Sequence, residues 1–166
     1  DRLSANYDFS DTILNGKTQP FKIFVKGQLK IGVFGIGIEL DGLVPKSLYK
    51  NTQYLSPIDK ANETASLLKN EHKCDMVICL SHLGYKYDSN KASDTILAKS
   101  SKHIDLIIGG HTHTFMEKPI SLKNQLEQEV VINQVGWAGI WLGRLDYFFE
   151  KKSGKKLRSG KTVVVR

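Results

Sequence analysis

A chain of 166 residues, 40% hydrophobic and 25% charged, has room for one domain with a real core and the ordinary make-up of a globular protein. Its 24 Lys and Arg against 17 Asp and Glu leave a formal charge of +7, which suits an anionic ligand; the basic residues are scattered, though, without the interleaved aromatics that stack nucleobases, which argues against a nucleic-acid binder. No apolar run reaches the length of about 18 residues that a membrane-spanning helix needs.

The chain opens at Asp1 with no charged-then-apolar block, a beginning that a removed leader would also leave, so this end sets no compartment. "LSANY" (3–7) is a short strand candidate. "PFKIFVKGQLKIGVFGIG" reads as a hairpin, with β-rich runs at 21–25 and 30–34 joined through Gly27. Residues 35–54 show no clean period and read as a long loop, with one helical turn near "PKSLY". The clearest helix follows. Ser56 suits the cap and Pro57 the first helical position, and Ile58, Ala61, Ala65 and Leu68 form one apolar stripe, ending near "NEHKC".

"DMVICL" (75–80) is a continuous apolar run, the pattern of a strand covered on both faces. Cys74 and Cys79 flank and enter it; in extended chain their separation is roughly 16 Å, beyond disulfide reach, so both are expected to be free and buried. "SHLGYKYDSN" is a loop, "KASDTILAKS" a shorter helix, and "DLIIGG" (105–110) a second buried strand. The resulting β-α-β unit has a parallel, right-handed crossover by default. After Pro119, "EVVINQV", "IWLGRLDYFFE" and "KTVVVR" are strands without helices between them. The fold class is therefore α/β, a β-α-β unit followed by an antiparallel meander. The cluster Lys151, Lys152, Lys155, Lys156 and Arg158 around "KKSGKK" reads as a solvated hairpin tip.

In an open α/β sheet, ligands gather beyond the carboxyl ends of the parallel strands. Of the five histidines, His82 follows the first buried strand, and His111 and His113 follow the second. If those strands are neighbours, the three imidazoles share one rim, and imidazole is a common ligand of zinc, iron and similar ions. Gly109 and Gly110 allow the tight bend that brings His111 to an ion. On extended backbone His111 and His113 would lie about 6.6 Å apart and point the same way. They could serve one ion if the loop curls, or one each of two ions about 3.5–4 Å apart. His72 and His103 precede strands at the opposite rim and read as solvent-facing. Three imidazoles suffice for one zinc with an open position. A two-ion hydrolytic site also wants carboxylates, but Asp75 and Asp105 lie at the wrong strand ends and nothing marks Asp88 or Glu117 as ligands.

The segments "ICLSHLGY" and "IDLIIGGHTHT" resemble the last two motifs of the calcineurin-like metallophosphoesterases, in particular the 5′-nucleotidase and UDP-sugar hydrolase branch. "NQVGWAGIWLGRLDY" is similar to the stretch that follows GHTH in that branch, and "LSANYDFSDT" resembles the segment after its GNHE motif. The resemblance implies half of a four-layer αββα sandwich with a site for two divalent ions (Zn, Mn, Fe or Co). It implies that His82 and His111 bind one ion and His113 the other, and that the ions activate a water against a nucleotide or other phosphate ester. It also implies a periplasmic or secreted parent.

The branch's first three motifs, Asp-x-His, Gly-Asp-x-x-Asp and Gly-Asn-His-Asp/Glu, are absent from this sequence, and the family pattern places them before Asp1. The expectation is thus that residues 1–166 are the C-terminal part of a metallophosphoesterase catalytic domain. The parent would be an enzyme, with no catalytic residue in this chain. The expected partner is the missing N-terminal half or a self-associated copy, since half a sandwich exposes strand edges and an apolar face. The alternative is a non-catalytic metal-binding or interaction module on the same scaffold.

Overall fold

The computed structural model describes residues 2–150 and 154–165, the stretch 154–158 as backbone only. The elements in chain order are β1 (Tyr7–Asp8), β2 (Phe21–Lys26), β3 (Leu29–Ile36), α1 (Lys46–Tyr49), β4 (Gln53–Tyr54), α2 (Pro57–Ser66), β5 (Met76–Ser81), α3 (Asp94–Ser100), β6 (Leu106–Ile108), β7 (Ile120–Lys123), β8 (Glu129–Asn133), β9 (Trp141–Glu150) and β10 (Gly154–Val164). Six strands form one sheet in the order β2-β3-β5-β6-β8-β7. Its centre, β3, β5, β6 and β8, is parallel, while β2 and β7 close the two edges antiparallel.

The continuous apolar runs of β5, β6 and β8 have the composition of strands covered on both faces. One face carries the helices. Ala61, Ala65 and Leu68 of the α2 stripe and Leu97 and Ala98 of α3 pack on Phe34, Val77, Cys79, Ile107 and Ile132. Helix α2 starts as its residues dictate: the Ser56 hydroxyl accepts from the Asp59 N–H at 3.4 Å and Pro57 holds the first position. It runs into a π-helical turn over Leu67–Glu71, where the His72 N–H donates to the Leu67 carbonyl. A Cβ at Gly32 would come within 2.8 Å of Leu68, so the missing side chain is what lets the helix lie this close to β3.

The second face is only half covered. The β9–β10 hairpin lays Leu145, Tyr147 and Phe149 on Met76, Leu106 and Val131, toward the amino ends of the strands. Toward the carboxyl ends, the register partners Leu80 and Ile108 are each 42% exposed. Arg2, Lys22, Val33 and Gly35 help line the open groove of about 810 Å³ above them.

Three details depart from the sequence expectation. The first strand lies at Tyr7–Asp8, paired with Gln53–Tyr54 inside the presumed long loop. Ile120–Lys123 forms an additional strand, too short to declare itself after Pro119. And "EVVIN" joins the main sheet parallel to β6 instead of opening a meander, because its unbroken apolar run can be buried on both faces. Cys74 and Cys79 are free and buried, and burial pushes the Cys79 thiol well above its usual range. The basic cluster of Lys151, Lys152, Lys155, Lys156 and Arg158 falls on residues 151–153 and on the side chains of 154–158, which lie outside the described residues. Among the described residues no helix is long and apolar enough to cross a membrane.

Candidate metal centre

β5 and β6 are parallel neighbours, so their carboxyl ends release two loops side by side. Strand β5 ends at Ser81 and the next residue is His82, whose N–H donates to the Ile36 carbonyl at 2.8 Å. Strand β6 ends at Ile108; Gly109 is pinned to the Asn133 carbonyl at 2.9 Å, and the chain turns through Gly110 into His111. The rings of His82 and His111 meet edge to face with centroids 5.3 Å apart. Gly110 makes room for this pair, since a Cβ there would lie 3.1 Å from Nδ1 of His82.

His113 takes a different direction and stacks on the exposed ring of Trp137 at 5.9 Å and 17°. The three histidines therefore share one rim but divide into a pair and a single. Among the described residues no three His, Cys, Asp or Glu side chains form a group that could hold an ion by themselves. What the rim offers is a two-imidazole donor set beside a third. Burial, with the neighbouring His82, Lys91 and His113, lowers the proton affinity of His111, so its imidazole favours the neutral form that ligates metals. The donor set fits one side of a site completed by further ligands. His72 and His103 lie apart and are half-buried rather than solvent-facing. The His72 ring sits 5.2 Å from that of Phe21, and burial lowers the proton affinity of His103.

The reason His111 and His113 diverge is the backbone. Neither sits on extended chain: their φ angles are +71° and +52°, the left-handed region that L-residues avoid. Two such residues within three positions represent strain held by the surroundings, a pattern that clusters at functional sites. Glycine at either position is expected to be about 1 kcal/mol more stable than alanine, because it relieves the αL penalty while removing the same imidazole. Urea unfolding of His113→Gly beside His113→Ala measures this; equal midpoints would show the backbone there to be unstrained.

The surroundings that hold the loop are polar and mostly buried. Thr112 accepts the Tyr85 N–H at 2.9 Å through its hydroxyl, which joins the His82 loop to the His111 loop, and donates to Oε1 of Gln134 at 3.1 Å. Gln134, 1% exposed, also accepts the Thr114 N–H and donates from Nε2 to the Gly110 carbonyl at 2.8 Å. Behind both loops lies Asp94, fully buried at the start of α3, whose Oδ1 accepts the Ser81 hydroxyl at 2.5 Å. Its other oxygen faces Gly109, where a Cβ would come within 2.1 Å of it. Burial pushes Asp94 up to about 7, against the lowering effect of Ser81. Sequence reasoning singled out the glycines and histidines but missed Asp94, and took Gln134 and Trp137 only as part of a motif. In sequence Asp94 is an unremarkable first-turn acid after the Ser93 cap.

No sequence-family model matches the chain. It is 35% identical over 123 residues, 74% of its own length, to the trifunctional nucleotide phosphoesterase protein YfkN of Bacillus subtilis, of which it spans 8%. It is 28% identical over 170 residues, 89% of its length, to the 5′-nucleotidase of Vibrio cholerae, of which it spans 30%. The structure of the NAD nucleotidase of Haemophilus influenzae superposes with a TM-score of 0.82 at 22% identity, over 98% of this chain and 30% of that one. The chain thus spans less than a third of each of these relatives.

Proposed function

We propose that this chain, which belongs to the 5′-nucleotidase branch of the calcineurin-like phosphoesterases, supplies the C-terminal part of a catalytic domain that hydrolyses nucleotide phosphate esters. His82 and His111 would hold one divalent ion and His113 a second. The observation that carries this reading is the His82–His111 pair, 5.3 Å between centroids, borne by the tips of two adjacent parallel strands. The separate direction of His113 supports two ions over one. A pair of divalent ions supplies charge neutralisation for the phosphate and a water acidified for attack. The chain's own contribution is to hold the His82–His111 pair and a third imidazole in place, His111 and His113 on strained backbone tied down by hydrogen bonds, so that little reorganisation accompanies binding.

The remaining ligands would come from an N-terminal half that docks on the open part of the sheet. Leu80 and Ile108 are exposed there and border the same groove as His82. An exported parent, periplasmic or secreted, fits the branch. The assay is phosphate release from a nucleoside monophosphate with Mn²⁺ or Zn²⁺. The full-length gene product is expected to turn over and the isolated 166-residue chain is not. Robust turnover by the isolated chain would overturn the half-site reading. Failure of the full-length product with either ion would overturn the hydrolase reading.

A further inference from the structure

Asp94 is fully buried, and its Oδ2 has no hydrogen-bond partner. A carboxylate in that position is a burden on the fold, since burying charge without full compensation is unfavourable. Yet it occupies the point where the two histidine loops meet. Its single donor is the hydroxyl of Ser81, the residue before His82. Its free oxygen rests against Gly109, two residues before His111. Gln134 reaches the same point, with Nε2 3.1 Å from where a Gly109 Cβ would be.

We propose that Asp94 is the buried counter-charge of the candidate metal centre, a positioning residue that ties the two histidine loops together and places negative charge behind the cations. The inference rests on the metal reading above and deepens it. The three imidazoles that this chain offers are neutral ligands and bring no charge to balance a divalent ion. In a low-dielectric interior a fixed carboxylate acts across several ångströms with little screening. A group kept for packing alone would be better served by asparagine, which has the same shape and still accepts the Ser81 hydroxyl. A counter-charge would not.

Asp94→Asn separates the two roles, because a structural residue moves stability and metal affinity together whereas a counter-charge moves them apart. In the full-length gene product at pH 8, calorimetric titration with Mn²⁺ is expected to show Asp94→Asn binding about tenfold more weakly than wild type, at the low end of what supporting residues around a metal contribute. Thermal unfolding of the metal-free protein is expected to show the variant no less stable than wild type. Unchanged Mn²⁺ affinity in a folded Asp94→Asn protein overturns the proposal. So does parallel loss of affinity and metal-free stability, which would make Asp94 a structural residue. Failure of the wild type itself to bind Mn²⁺ or Zn²⁺ is a different result: it removes the metal reading, and this role with it.

Discussion

Truncating Gln134 to alanine is expected to destabilise the protein by about 3 kcal/mol and to release the histidine loop from its scaffold. The side chain is nearly inaccessible and makes three bonds to the loop that carries His111 and His113: from the Thr114 N–H, from the Thr112 hydroxyl, and to the Gly110 carbonyl. Alanine leaves the Thr114 N–H without a partner, while the Gly110 oxygen keeps the Thr112 N–H at 2.9 Å. A buried polar group left unsatisfied costs about 1–3 kcal/mol. Thr114 is half-buried, so water recovers part of this, and the vacated volume adds to it. Gln134→Met is the matched control, since it keeps most of the volume and removes every hydrogen bond. If bonding dominates, the two variants unfold at similar urea concentrations. In both, amide exchange at Thr114 should accelerate well beyond that at Ile107 in the sheet core. A loss below about 0.5 kcal/mol in both would mean that the Phe115–Val135 bridge and the Gly109–Asn133 bond hold the loop without it.

The same loop shows what sequence reading can and cannot reach. Strands β5 and β6, helix α2 with its cap, and the placement of His82 beside His111 follow from apolar runs, from spacing of three and four, and from the rule that ligands gather at carboxyl strand ends. These depend on local pattern and on topology, and both are written in the order of residues. The direction of His113 was not legible, because it depends on two left-handed φ angles at non-glycine residues, which local propensity disfavours and only tertiary bonds enforce. The parallel insertion of β8 is also a tertiary outcome: an apolar run states that it can be buried on both faces, not beside which strand. Asp94 was hidden for a related reason. An acidic residue after a serine cap is common at helix starts on the surface, and nothing in "ASDTILAKS" distinguishes it from one sealed beneath two loops.

That burial leads to the second large effect, a pH dependence that Asp94→Asn should abolish. In the folded protein the Asp94 carboxyl is pushed up to about 7 from 3.8 by burial, with Ser81 opposing. The native state therefore keeps a proton over the interval from about pH 4 to pH 7 that the unfolded chain has already released. Stability falls wherever the native state binds more protons and pH rises, so this group lowers stability progressively across that window and fully above it. At about 1.4 kcal/mol for each tenfold change in proton affinity, the cost reaches the order of 4 kcal/mol at pH 8. The groups that feel the charge from packed neighbours, Cys79 and Tyr87, are both neutral throughout the window, their own proton affinities raised by burial first and by Asp94 second, so neither cancels it. Asparagine does not titrate there. The difference in unfolding free energy between Asp94→Asn and wild type should grow by about 3 kcal/mol in favour of the variant between pH 4.5, where the titration has cost only about 1 kcal/mol, and pH 8. Urea denaturation of the metal-free proteins at the two pH values measures it. A difference that stays constant with pH would mean that the carboxylate is compensated in the fold. Saturating Mn²⁺ should then narrow the gap at pH 8, because a ligand bound more tightly by wild type stabilises it by the larger amount. If the proposal holds, the fold gives up stability to an uncompensated charge and regains part of it when cations bind, so that its resting instability and its ion affinity share one carboxylate.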